Sequence, residues 1–244
     1  MPQTETVMRV HSYPGFYSHG ISIRDWYPWW NLALDGRLRS PDYLALVDEG
    51  LAAAHTPIRD IPIESLRHRG TPQGVLSPRA SWYVWAAAEV RNRGEIGIGL
   101  DNPVQLPQDQ LDRIVRIGDI ELEFEARRRE VNPDAASRLS SLYVADDTSP
   151  GHAHIRQMLG PDVLILRVAI PAALRVSKVD TAWFERYVQN PRPELIDQYW
   201  ASTPASHDCS TWEYLVDGMI QVDDPDLLSY IRTHGAHLSL APPE

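Results

Sequence analysis

Three side chains that could do chemistry stand in strand-like runs far apart in the chain. They are His11 in Met8-Arg-Val-His-Ser12, Tyr143 in Ser137-Arg-Leu-Ser-Ser-Leu-Tyr-Val-Ala-Asp-Asp147, and Glu213 in Trp212-Glu-Tyr-Leu-Val-Asp-Gly-Met-Ile-Gln-Val222. A carboxylate held in place can stabilise a positively charged transition state. An aromatic face suits a flat cation, and a histidine adds a hydrogen-bonding group. Taken singly, each is more often structure than chemistry: a satisfied strand histidine, a core tyrosine, a strand glutamate facing solvent. Only their order and flanking residues raise them to a site.

Other constellations carry less. His152 and His154 with His207, Asp208 and Cys209 could be imagined as a metal cluster, but their spacing matches no standard zinc site. No glycine-rich dinucleotide fingerprint, phosphate loop or nucleophile elbow is present. Arg127-Arg-Arg129 reads as a solvated element end, with a specific anion site as the less favoured reading. Glu125 and Arg138 are expected to pair beside the central strand and to position it.

The elements that must place these residues read as follows. Residues 6–12 alternate as a short strand, and 13–40 are aromatic and turn-rich, with a helical piece over Asn31–Asp35 closed by Gly36. Ser40-Pro41 opens a helix that runs to His55-Thr-Pro57, because Ser suits the cap and Pro the first turn. Residues 56–80 form a connector. Ser81–Val90 is helix by its alanines or strand by its aromatic start, and Gln108–Val115 is a short helix. Ile117–Glu125 alternates with the period of a half-buried strand.

Farther on, Arg138–Ala145, Asp162–Ile170 and Leu174–Val179 read as strands, and Glu213–Val222 as a strand or a hairpin about Asp217-Gly218. Helices are expected after Thr148, over Thr181–Tyr187, over Glu194–Trp200 and over Asp226–His234. The strands concentrate in the second half, which gives one α+β domain over residues 1–244.

The three segments resemble the ADP-ribosyltransferase superfamily, in particular its His-Tyr-Glu branch of poly(ADP-ribose) polymerases and diphtheria-toxin-like enzymes. The second motif there reads roughly Gly-Ile-Tyr-Phe-Ala-Asp before a Ser-rich helix start; here it is Ser141-Leu-Tyr-Val-Ala-Asp146, then Thr148-Ser149 and the His152–Ile155 turn. The third, Glu-Tyr-hydrophobic-Val, is Glu213-Tyr-Leu-Val216 running into Leu227-Leu228. The first, aromatic-His-Gly-Ser/Thr, is matched by Val10-His11-Ser12-Tyr13, with Tyr13 where the family has a hydroxyl residue.

The resemblance implies a split antiparallel sheet with short helices, interrupted by an insertion over residues ~40–130 that serves as a lid or acceptor-recognition surface. It implies NAD as substrate. His11 would bond the nicotinamide-side ribose, the Ser12 backbone the carboxamide, and Tyr143 would stack on nicotinamide. Glu213 would hold the ribose 2′-hydroxyl and stabilise the cationic sugar. Ser141 and His154, in and behind the second motif, would join the NAD-binding residues. A second branch uses Arg-Ser-Glu, and Arg9 with Ser140 or Ser141 can be read that way. Thr211, two residues before Glu213, argues against an arginine acceptor.

Bacterial relatives of this size are often toxins or defence effectors, which would bring an antitoxin or immunity protein as partner. Three readings therefore stand: a mono-ADP-ribosyltransferase with a protein acceptor, the same chemistry directed at nucleic acid, and a catalytically inactive protein-binding module on the same fold.

Composition narrows the partners. Net charge is −10, and from Lys178 to Glu244 four basic residues face eleven acidic ones. Such a surface repels phosphate backbones, which favours a protein or small-molecule acceptor. The single cysteine, Cys209, cannot form an internal disulfide, so a reducing cytoplasmic compartment is expected, with no membrane partner.

Overall fold

The computed structural model describes residues 10–22, 26–53, 55–72, 79–97, 106–206 and 211–235. Its strands are β1 (His11–Ser22), β2 (Arg37–Arg39), β3 (Leu142–Asp146), β4 (Val163–Asp180) and β5 (Trp212–Val222). They form one antiparallel sheet of order β2-β5-β3-β1-β4, and β4 pairs with β5 as well, so β1, β3, β5 and β4 close a ring. β1 and β3 meet only at Tyr17–Asp146 and Ser18–Ala145. Beyond that contact β1 stays on β4 and β3 stays on β5, so the sheet opens between them.

The helices are α1 (Trp26–Asp35), α2 (Pro41–Val47), α3 (Glu49–Ala52), α4 (Ile63–Arg69), α5 (Arg79–Arg93), α6 (Gln108–Val131), α7 (Ser149–Leu159), α8 (Thr181–Gln189), α9 (Pro193–Trp200) and α10 (Pro225–Gly235). The architecture is α+β. α1 and α10 pack on the apolar interior of the ring around Leu32, Val168, Val216 and Ile231. α6, α8 and α9 enclose a second core with Phe124, Tyr199 and Trp200 on the face that Leu215 presents.

Several local expectations hold. Ser40 caps α2 with Pro41 in its first turn, Thr148 caps α7, and α8, α9 and α10 fall where they were read. α1 starts five residues earlier than the piece read at Asn31 and ends, as read, before Gly36.

Other expectations are corrected. Ile117–Glu125 is not a strand but the middle of the 24-residue α6. Leu111, Ile114 and Leu122 face the α4–α5 side of this helix, while Ile120 and Phe124 face α8 and α9. A helix buried on two flanks imitates the alternation of a strand. Residues 13–22 are strand rather than turn, because register shifts between His11 and Tyr17 absorb Pro14 and Gly15. The strand read over 6–12 begins only at His11, with residues 6–9 outside the described residues. With β2, this places two strands among the described residues of the first half of the chain.

The two strands read over 162–179 are one, β4. β5 runs straight through Asp217-Gly218 instead of turning there. Gly218 has another purpose: a side chain on it would collide with the Ala172 carbonyl and Ala173 backbone of β4. The helix read from Ser40 to His55 breaks at Asp48 into α2 and α3, since Asp48 ends one and caps the next. The connector at 56–80 contains α4 and a 3-10 turn at Ile58–Asp60. Ser81–Val90 is helix, its Ala86 and Ala87 fully buried against α6.

The junction of α2 with β5 is a buried polar knot. Ser40 Oγ donates to Asp217 at 2.8 Å, Arg175 donates to the same carboxylate at 2.8 Å, and the nearby Asp42 is held by His55 at 2.7 Å. Burial, helped by the charge of Asp42 and opposed by Ser40 and Arg175, pushes Asp217 up to about 6. Its folded pKa lies above its unfolded one. The stabilising contribution is therefore complete below about pH 4 and is lost as pH rises through about 6, an amplitude of up to about 3 kcal/mol. Urea unfolding of the parent and of Asp217→Asn from about pH 3 to about pH 7.5 tests this. The stability difference should shift in favour of the variant by that order as pH rises, and a difference independent of pH refutes it.

Candidate functional site

β5 carries Glu213 at its second position, opposite Ala145 of β3 and Val179 of β4, and 7% exposed. Strand alternation puts Glu213 on the side of Leu215, which is the register partner of Tyr143 and packs in the same core cluster. The Tyr143 hydroxyl donates to the carbonyl of Arg138 at 2.7 Å, and burial pushes its phenol well above the usual range.

Arg138 links the two. Its guanidinium forks onto Glu121 through Nε at 2.7 Å and Nη2 at 2.9 Å, and Nη1 donates to the Tyr199 hydroxyl at 2.5 Å. It lies over the rings of Phe184 at 4.3 Å and Tyr143 at 5.6 Å, and Nη1 stands 3.9 Å from Glu213 Oε2. Burial opposes this charge, yet Glu121 beside it holds the guanidinium well above the ordinary arginine value.

The expected pairing of Arg138 with Glu125 is corrected: the partner is Glu121, one helical turn earlier. Glu125 instead binds Arg128, Arg129 and Ser137, which keep its carboxyl below the usual range although burial works against them. The three arginines at 127–129 accordingly all have internal partners, Arg127 on Asp197 and Glu130. That leaves no anion-binding cluster there.

On the other flank of Glu213, α7 brings His154, with Nε2 3.9 Å from Glu213 Oε1. His154 is 5% exposed, and among the described residues neither its Nε2 nor the buried Ser141 Oγ has a hydrogen-bond partner. Each such orphan costs about 1–3 kcal/mol relative to a satisfied group. α7 is itself held firmly. Ser18 Oγ donates to Asp147 at 2.8 Å, and His152 Nε2 lies 2.8 Å from that hydroxyl and 2.9 Å from the same carboxylate. One nitrogen meets both partners, so this is a lock between β1 and α7 and not a nucleophile relay.

The structure thus unites Tyr143, Glu213 and His154. Ser141 lies just before β3. It does not bring His11 and Ser12 to them. Both are exposed, and His11 pairs with Ala173, whose other neighbour is Gly218. Gly218 is five residues along β5 from Glu213, a separation on the order of 17 Å at strand rise. Arg9, His207, Asp208 and Cys209 lie outside the described residues.

A different histidine reaches the motif strands. His19 Nδ1 sits 2.6 Å from the Tyr143 carbonyl. A carbonyl only accepts, so Nδ1 carries the proton, and burial lowers the pKa of the ring against the pull of that bond. The neutral ring then keeps Nε2 as an acceptor. Gly20 follows because any side chain there would collide with Ile155 and Leu159 of α7. The signal in the sequence was Tyr17-Ser-His-Gly-Ile-Ser22, a His-Gly pair between an aromatic residue and a hydroxyl residue.

Among the described residues, no group of three His, Cys, Asp or Glu side chains is arranged to hold a metal ion, and no helix is long and apolar enough to cross a membrane. No protein-family model matches the chain, and no curated protein matches it.

Proposed function

We propose that the chain is an NAD-dependent mono-ADP-ribosyltransferase in which His19, rather than His11, serves with Tyr143 and Glu213. The observation that carries this reading is the adjacency of β5, β3 and β1. Glu213 lies opposite Ala145, and the His19 ring rests on the Tyr143 carbonyl at 2.6 Å. Three motif residues far apart in sequence thereby sit on three neighbouring strands.

In the reaction the bond between the ribose carbon and the nicotinamide nitrogen breaks. Its electron pair goes to that nitrogen, neutralising the pyridinium, and the sugar becomes an oxocarbenium-like cation. Glu213 supplies the fixed negative charge that this cation needs. The acceptor then donates a lone pair to the same carbon and gives up its proton. The net charge of −10 supports a protein acceptor over a nucleic acid, with the toxin or defence role following from the family reading. The helices between residues 41 and 131 are the candidate acceptor-recognition surface.

Release of nicotinamide from NAD, with and without cell lysate, is the test. His19→Ala should slow release by about 10–100-fold, as the loss of one buried hydrogen bond to substrate would. His11→Ala should stay within about twofold of the parent. The reverse order of sensitivity returns the role to His11, and no release or NAD binding by the parent overturns the enzyme reading. One observation favours the catalytically inactive alternative: the Tyr143 hydroxyl is already spent on a backbone carbonyl and Glu213 is nearly covered. That alternative predicts indifference to NAD.

A further inference from the structure

We propose that His154 is a substrate-contact residue, sharing one sugar hydroxyl with Glu213 and so selecting a ribose over a 2′-deoxyribose beside the scissile bond. This rests on the ADP-ribosyltransferase reading and adds to it a discriminating residue from a helix, outside the three motif strands.

His154 Nε2 and Glu213 Oε1 are 3.9 Å apart, too far for a direct hydrogen bond. One oxygen placed between them can reach both at about 2.8 Å. The carboxylate only accepts, so the bridging group must donate to it. A hydroxyl can do so while accepting from the imidazole N–H, whereas a phosphate oxygen brings a second negative charge and no proton. Among the described residues His154 Nε2 is buried without a hydrogen-bond partner, so its bonding capacity is free for a group brought to it.

Position supports the same conclusion. α7 is pinned at His152 by the Ser18–Asp147 lock and at Ile155 by its close fit over Gly20, the two residues flanking His154 closely in sequence. The imidazole is therefore presented from a fixed helix, as a selective contact requires. On its other side Glu213 faces Arg138, with Nη1 3.9 Å from Oε2, so the two oxygens of one carboxylate face different neighbours.

The experiment compares kcat/KM for nicotinamide release from NAD and from NAD lacking the 2′-hydroxyl of its nicotinamide ribose. The parent, His154→Phe and His154→Gln are each checked for folding by thermal melting. His154→Phe should lose about 10–100-fold on NAD and stay within about twofold on the deoxy substrate, since a lost hydrogen bond matters only where its partner exists. His154→Gln, whose amide nitrogen reaches a similar place, should recover part of the loss on NAD alone. Equal losses on both substrates, or no loss on either, overturn the proposal while leaving the enzyme reading intact. If His154→Phe does not fold, the Gln variant on the same substrate pair decides. A parent that neither binds nor cleaves NAD overturns the underlying reading and this proposal with it.

Discussion

Glu213→Gln should release nicotinamide from NAD about a thousandfold more slowly than the parent chain while still being melted at higher temperature in the presence of NAD. The size follows from electrostatics. A unit negative charge about 4 Å from a forming cation, at an effective dielectric of about 20, is worth about 4 kcal/mol, which corresponds to about a thousandfold in rate. Glutamine keeps the shape and one accepting oxygen, so what it removes is the charge. The place is suited to the task because Glu213 is nearly covered and its neighbours are already oriented by Glu121, Tyr199 and the α7 lock. A variant that loses NAD binding and turnover together would assign Glu213 to ground-state binding. A variant with unchanged turnover would remove the carboxylate from the mechanism.

Much of this arrangement was legible in the chain because local chemistry decided it. Ser40-Pro41 and Thr148 announce helix starts through side chains that satisfy the first free N–H groups, and those are local bonds. Tyr143 stood in a segment that reads locally as a strand, whereas Glu213–Val222 read as a strand or a hairpin. What failed was everything set by tertiary neighbours. α6 looked like a strand because two different cores claim opposite flanks of it. His19 was passed over because Pro14, Gly15 and a crowd of aromatics made residues 13–22 read as turn. Only the pairing with β4, more than 140 residues away, turns that stretch into a strand. Likewise Arg138 could be matched to any acid of the helix before it. Glu121 wins over Glu125 because Arg128 and Arg129, on the same helix, already hold Glu125.

That pairing supplies the second large effect. Arg138→Met should destabilise the fold by about 3–5 kcal/mol in urea unfolding, the cost of leaving one member of a buried ion pair alone. Glu121, 3% exposed, would lose both guanidinium bonds, and the Tyr199 hydroxyl would lose its donor. Glu121→Leu alone should cost a similar amount, since it strands the cation instead. The double variant should recover most of the loss, because a well-packed apolar pair is often no less stable than the ion pair it replaces. Adding the two single losses would therefore overestimate the double, and simple additivity would show that Arg138 and Glu121 do not act as one unit. The double variant also separates structure from chemistry. It restores the core while removing the cation 3.9 Å from Glu213, so a folded double variant with impaired nicotinamide release assigns Arg138 a positioning role toward that carboxylate. A folded double variant with full activity confines Arg138 to the core, leaving Glu213 held by β5 and facing His154 alone.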